Sequence, residues 1–276
     1  MRPIRPTRRA LLALGLGAVP LGLGAVPLAL VGACTPVDAH GQPRAPRDRA
    51  PRDRAPHDRA PREARTRPPW GGLTVVERGA AEADRAFVLL HGWGAPGDDL
   101  VSLADELAAL SHRPMRVIVP AAPIAMQHGG RAWYDLHADD ATRQAARARG
   151  SIEAVVRTLG ERGVAAEHVI VGGFSQGAIL SIELALVGQP RVGGIAVLSG
   201  RALEHPARTY RALEHLPIFQ SHGQSDDRIP FARGEAFREA ATRAGASVEH
   251  VPFEGGHAIP PVVVTALAAW LERTLA

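Results

Sequence analysis

Gly173-Phe174-Ser175-Gln176-Gly177 decides the reading of this chain. An apolar run, His168-Val169-Ile170-Val171-Gly172, leads into it, and a helix-like run from Ala178 to Leu186 leaves it. Strand, sharp turn and helix, with serine at the apex and glycine two residues to either side, form the pattern of a nucleophile elbow. The turn is so tight that only small residues fit at the two flanking positions. Glycine tolerates both the strained backbone and the close helix–strand approach. The serine hydroxyl is then held clear of the sheet, where a base can reach it.

The surrounding sequence supplies the sheet and helices that such an elbow needs. Strand-like runs occur at Leu73–Val76, Ala86–Leu90, Arg116–Val119, His168–Val171, Ile195–Leu198, Ile218–Ser221 and Val248–Phe253. Between them lie helical spacings of three and four: Leu100, Leu103, Leu107 and Leu110; Ile152, Val155, Val156 and Leu159; Val263, Leu267 and Trp270. Strands alternating with helices predict an α/β fold with a mostly parallel sheet flanked by helices. One such domain over residues 70–276 leaves little room for a lid. Ligands of these folds bind at the carboxyl ends of the strands.

A serine hydroxyl needs a base, and the base needs an orienting acid. In this fold the order along the chain is serine, acid, histidine. After the Ile218–Ser221 run comes a loop, His222-Gly223-Gln224-Ser225-Asp226-Asp227. After Val251-Pro252-Phe253 comes Glu254-Gly255-Gly256-His257. Both loops lie at strand ends, on the edge expected for Ser175. His257 is the candidate base. Neighbouring loop side chains diverge, so only one of Asp226 and Asp227 can face it. His222 and His91, each before a glycine at a strand end, read as structural. The Leu90-His91-Gly92-Trp93-Gly94 loop closes the set: the backbone N–H groups of Trp93 and Gln176 are the candidate oxyanion donors. Gly92 to Gly97 also spells G-x-G-x-x-G, a dinucleotide pattern. That reading expects an acid at the end of the next strand, and Val117-Ile118-Val119-Pro120-Ala121 has none.

Composition removes other classes. The 276 residues contain no Lys and no Asn. A Walker A phosphate loop needs Lys, and N-linked glycosylation needs Asn. The twelve His show no metal-ligand spacing and there is no H-E-x-x-H, so no metal and no cofactor are expected. Thirteen of the 32 basic residues and five of the 28 acidic ones precede Pro68. The remaining 19 basic and 23 acidic residues give the rest of the chain a net charge of −4. The net basic charge therefore belongs to the N-terminal segment, and no nucleic-acid partner is expected.

That segment has its own pattern. Arg2, Arg5, Arg8 and Arg9 precede an uncharged apolar run from Ala10 to Cys34, and Leu14–Pro20 repeats directly as Leu21–Pro27. A basic start and an apolar run are the marks of an export signal, expected here over 1–34. Its end, Val31-Gly32-Ala33-Cys34, resembles a bacterial lipobox, which makes Cys34 the candidate lipidation site and the chain a membrane-anchored lipoprotein on the periplasmic or cell-surface side. Thr7 to Leu12 also resembles a twin-arginine signal. The plainer alternative is a retained membrane anchor. Residues 35–69 then carry a five-residue Arg-Ala-Pro-Arg/His-Asp/Glu repeat whose prolines forbid a continuous helix, so a disordered tether is expected. As a tether it is a passive spacer, or its positive charge holds it against anionic headgroups.

Taken together, Leu90–Gly94, Arg131-Ala132-Trp133-Tyr134-Asp135, Gly173–Ala178, Leu198-Ser199-Gly200, His222–Asp226 with Ile229-Pro230, and Gly256–Pro260 resemble the phospholipase/carboxylesterase family, which includes the acyl-protein thioesterases. The resemblance covers nearly all of Val75 to Leu275. It implies a small, lidless α/β-hydrolase that cleaves esters or thioesters of acyl chains. It selects Asp226 as the catalytic acid, four residues after the His of the His-Gly pair. It also implies that Trp133 lies near the active site as a substrate-binding residue. Trp93 is bulkier than the leucine the family leads one to expect, which would narrow an acyl groove. The expected activity is a serine carboxylesterase or lysophospholipase with a Ser175-His257-Asp226 triad and a small-molecule or lipid ester as substrate. The alternatives are a lactone hydrolase or peptidase on the same fold, or a surface binding lipoprotein without turnover.

Overall fold

The computed structural model describes residues 69–187, 189–205 and 209–276. The expected export segment with Cys34 and the expected tether lie outside these residues, except for Pro69.

In chain order the elements are β1 (Val75–Gly79), β2 (Ala86–Leu90), α1 (Val101–Leu110), β3 (Arg116–Pro120), β4 (Ile124–Ala125), β5 (Arg131–Ala132), α2 (Ala141–Glu161), β6 (Val169–Phe174), α3 (Gln176–Val187), β7 (Gly194–Leu198), β8 (Pro217–Gly223), α4 (Phe231–Arg243), β9 (Ser247–Phe253) and α5 (Pro261–Thr274). Seven strands form one sheet in the order β1-β3-β2-β6-β7-β8-β9. Only β1 runs antiparallel to its neighbour; the other pairs are parallel. β4 and β5 pair as a separate two-stranded ribbon.

The central strands are apolar at nearly every position because both faces of the sheet are covered. Alternate side chains of β2 divide between the two layers. Ala86, Val88 and Leu90 pack with α2, α3 and α4 through Ile152, Val155, Ile182 and Phe237. Phe87 and Leu89 pack with α1 and α5 through Leu107, Val263, Leu267 and Trp270. In α2 the buried residues Ala145, Ala148, Ile152, Val155, Val156 and Leu159 follow the helical period and form the stripe that meets the sheet. In α5, Pro261 stands in the first turn, where its missing N–H costs nothing. Arg85 is 2% exposed just before β2. Its guanidinium donates to the carbonyls of Pro114, Arg113 and Leu275, to Ser111 Oγ and to Glu272 Oε1. One buried fork thereby ties the chain's last turn to the loop before β3.

Some expectations shift. The strand read at Leu73–Val76 begins at Val75 instead, because Pro69–Gly72 forms a 3-10 turn. Gly71 and Gly72 have φ of 65° and 83°, and the Leu73 N–H closes on Trp70 O. Leu110, the last member of the Leu100–Leu110 helical spacing, is 43% exposed at the helix end. The ribbon β4–β5 and helix α4 are additions to the pattern read from sequence.

The chain leaves β2 outward to β3 and returns on the other side at β6. The switch point between β2 and β6 is where such sheets open a crevice at their carboxyl edge. The loop after β2 carries Trp93, and the turn after β6 carries Ser175.

Candidate active site

Ser175 sits alone between β6 and α3 with φ of 55°, a conformation that non-glycine residues rarely adopt. The flanking glycines are required by space. A Cβ on Gly173 would lie 2.5 Å from Leu90 O, and one on Gly177 would strike the same carbonyl. The β6–α3 turn is thus pressed against the end of β2, the packing that a nucleophile elbow needs.

Asp226 is held on the loop after β8, its side chain fully buried. Oδ1 accepts the N–H groups of Arg228 at 2.9 Å and Ile229 at 2.8 Å. Oδ2 faces His257 Nδ1 at 2.7 Å. Burial alone would raise the Asp226 pKa, but the hydrogen bonds from His257, Ile229 and Arg228 outweigh it and hold the carboxyl below its ordinary range. A carboxylate at Oδ2 fixes the proton of His257 on Nδ1 and leaves Nε2 as the basic nitrogen. His257 is half-buried, and its ring packs at a tilt of 41° against Phe174, the residue before the serine, at 4.5 Å between centroids. The two loops are locked together: Ser225 N–H donates to Gly255 O and Gln224 N–H to Phe253 O, each at 2.9 Å.

Ser175 and His257 line one cavity of about 830 Å³. Trp93, Leu136, Phe174, Ile179 and Ile229 give it an apolar wall, and Arg201, Arg228, Asp99 and Asp227 add charge. Asp227 is exposed at this lining, and among the described residues His257 pairs with Asp226 and not with Asp227. Among the described residues, no protein group hydrogen-bonds to Ser175 Oγ. Such catalytic bonds are commonly long before substrate binds and tighten with it.

The two candidate oxyanion donors flank the serine. The Trp93 N–H pairs with no carbonyl in the loop network of the described residues. Gln176 is the first residue of α3, where an N–H has no partner within the helix. The positive end of the α3 dipole points the same way.

His91 and His222 are structural. His91 is fully buried; Nε2 accepts the Ala122 N–H at 3.0 Å and Nδ1 donates to Gly92 O at 2.7 Å. Burial lowers its pKa and keeps it neutral. His222, also fully buried, donates from Nε2 to Ile229 O at 2.8 Å and lies 3.3 Å from Asp226 Oδ2. It therefore braces the Asp226 turn from below, a role the sequence showed only as a His-Gly pair.

Trp133 departs from expectation. It is 1% exposed and is absent from the lining of the serine's cavity, so it stands in the core beside the site and not at the cavity surface. Its size and its polar partners explain the burial: the indole Nε1–H donates to His91 O at 2.9 Å, and the ring packs on His91 at 5.3 Å. The Gln176 side chain, 1% exposed, accepts the Trp133 N–H at 2.9 Å and donates to Tyr134 O at 2.7 Å. The Tyr134 phenol is buried beside this link, and burial pushes its pKa up to about 12.

The sequence pattern of the phospholipase/carboxylesterase family matches residues 72–275. The chain belongs to that family. It is 30% identical over 193 residues to acyl-protein thioesterase 1 of Yarrowia lipolytica, covering 62% of this chain and 82% of that one. It is 29% identical over 215 residues to a probable carboxylesterase of Oryza sativa subsp. japonica, covering 71% and 80%. The crystal structure of esterase PE8 superposes with a TM-score of 0.63 at 25% identity, covering 74% of this chain and 99% of that one. The fold is the α/β-hydrolase fold, and the protein is a hydrolase of the carboxylesterase class.

Proposed function

We propose that the protein is a serine esterase working through an acyl-enzyme. Ser175 Oγ attacks the ester carbonyl while His257 Nε2 takes its proton. The tetrahedral oxyanion is held by the Trp93 and Gln176 N–H groups. As the intermediate collapses, His257 returns the proton to the leaving alcohol or thiol, and the acyl group stays on Ser175. Water, deprotonated by the same imidazole, then releases the acid. Asp226 keeps the imidazole in the required tautomer throughout. The observation that carries this reading is the 2.7 Å bond between buried Asp226 and His257, at the rim of the cavity that holds the strained Ser175.

The apolar wall of Trp93, Leu136, Phe174, Ile179 and Ile229 suits an acyl chain, and Trp93, 43% exposed, is its largest side chain. We take the substrates to be acyl esters or thioesters of lipids or small molecules. An exported enzyme anchored through lipidated Cys34 would not meet acylated proteins of the cytosol. That location favours lipid, envelope or environmental esters. Turnover of 4-nitrophenyl esters of graded acyl length tests the activity: wild type should hydrolyse them and Ser175→Ala should be down by on the order of 10⁶. Equal rates in the two would refute it. Incorporation of labelled fatty acid into the full chain, abolished by Cys34→Ala, tests the anchor.

A further inference from the structure

The two oxyanion donors come from different loops, after β2 and after β6, with no covalent link near the site. Their spacing decides whether both N–H groups reach one oxygen. Trp133 contacts both supports. Its indole N–H holds His91 O, two residues before Trp93, and its backbone N–H holds the side chain of Gln176, whose own backbone N–H is the second donor. The same segment grips the Trp93 loop again through β5. Gly94 N–H donates to Arg131 O and Arg131 N–H donates to Ala95 O, both at 2.8 Å. A Cβ on Gly130 would lie 2.6 Å from Gly94 O, so this ribbon is pressed on the loop as closely as glycine allows. Gln176 Nε2 closes the far end on Tyr134 O. Trp133 and Gln176 are 1% exposed and His91 is fully buried, so water does not compete for these bonds.

We propose that Trp133 is a positioning residue that sets the distance between the Trp93 and Gln176 amides. The buried Trp133–Gln176 pair acts as a crosspiece spanning the β2–β6 switch point. This rests on the esterase reading above. Its consequence is selective. Loosening the crosspiece weakens the oxyanion interaction and leaves the apolar wall of the cavity, which Trp133 does not line, in place.

The test uses the full chain, with Trp133→Phe and Gln176→Met. The first keeps an aromatic ring against His91 but removes the indole donor. The second keeps the backbone N–H and the side-chain length but removes both amide links. Each enzyme is assayed on an oxygen ester and on the matching thionoester, whose C=S places a larger, weaker acceptor in the oxyanion hole. Rates are expressed per site titrated with a fluorophosphonate, so misfolded protein is not counted. Should one variant not fold, the other carries the comparison. On the oxygen ester we expect kcat to fall about 10- to 100-fold with KM within about threefold. We expect the ratio of oxygen-ester to thionoester rates to fall about tenfold, because donors placed for oxygen no longer discriminate. A ratio equal to wild type in both variants, or an unchanged kcat, overturns the proposal. Absence of turnover and of fluorophosphonate labelling in wild type would instead overturn the esterase reading on which it rests.

Discussion

Replacing Asp226 by Asn keeps the shape and changes one hydrogen-bond role. Asp226 Oδ1 already accepts two backbone N–H groups, from Arg228 and Ile229. Asn keeps those bonds only by placing its carbonyl oxygen there, which puts its NH₂ where Oδ2 faced His257 Nδ1 at 2.7 Å. Two donors then meet, and His257 is forced into the tautomer protonated on Nε2. That nitrogen no longer accepts the serine proton. The expected loss in kcat is about 10⁴, or roughly 5.4 kcal/mol on the barrier at 1.36 kcal/mol per tenfold. Asp227, exposed and not hydrogen-bonded to His257, should tolerate the same change within about threefold. Steady-state turnover of a 4-nitrophenyl ester measures both, and a mild Asp226→Asn with a damaging Asp227→Asn would refute the assignment. The same pair has a pH signature in stability. The folded pKa of Asp226 lies below its ordinary value of 3.8, so the unfolded chain takes up that proton first as pH falls. The stabilisation is fully present above the unfolded value and is lost as pH drops through the folded one. Urea melts should therefore show wild type losing stability relative to Asp226→Asn below about pH 4. Parallel curves would contradict the linkage.

Three further outcomes follow from the packing. Gly177→Ala drives a methyl into Leu90 O and should cost about 3 kcal/mol, seen as a Tm lowered by about 6–12 °C; an unchanged melt would mean the elbow is not pressed on β2. His222→Phe keeps the ring but leaves Ile229 O without its donor, and a urea midpoint corresponding to about 1–3 kcal/mol less stability is expected. Arg85→Ala strips the buried fork from three carbonyls, Ser111 and Glu272. It should cost about 3–5 kcal/mol by calorimetry while leaving KM unaltered, since the fork lies at the far end of β2.

The fold was legible because parallel strands covered on both faces read as unbroken apolar runs, such as Ala86–Leu90 and Val169–Val171. Helix α4 was harder to see because its buried face is Gly234, Phe237 and Ala241, two of them too small to make an apolar period. β4 and β5 have two residues each, too short for any alternation. Of the site, the elbow and the two later loops follow from local pattern, since each element is written in adjacent residues. The crosspiece is not local: Trp133 and Gln176 meet across 43 positions, and nothing in either neighbourhood announces the other. Nor does a sequence reveal that Arg85 is buried, because its partners are mostly backbone carbonyls, which every residue carries.

Turnover by the proposed route requires that Ser175 become acylated. Rapid acid quench of the enzyme mixed with a 4-nitrophenyl ester, then tryptic digestion and mass spectrometry, tests it directly. Cleavage at Arg162 and Arg191 isolates the 163–191 peptide that carries Ser175. One acyl mass is expected on that peptide, located at Ser175 by fragmentation and absent from Ser175→Ala. Turnover with the acyl group found elsewhere, or with none found under single-turnover conditions, would contradict it.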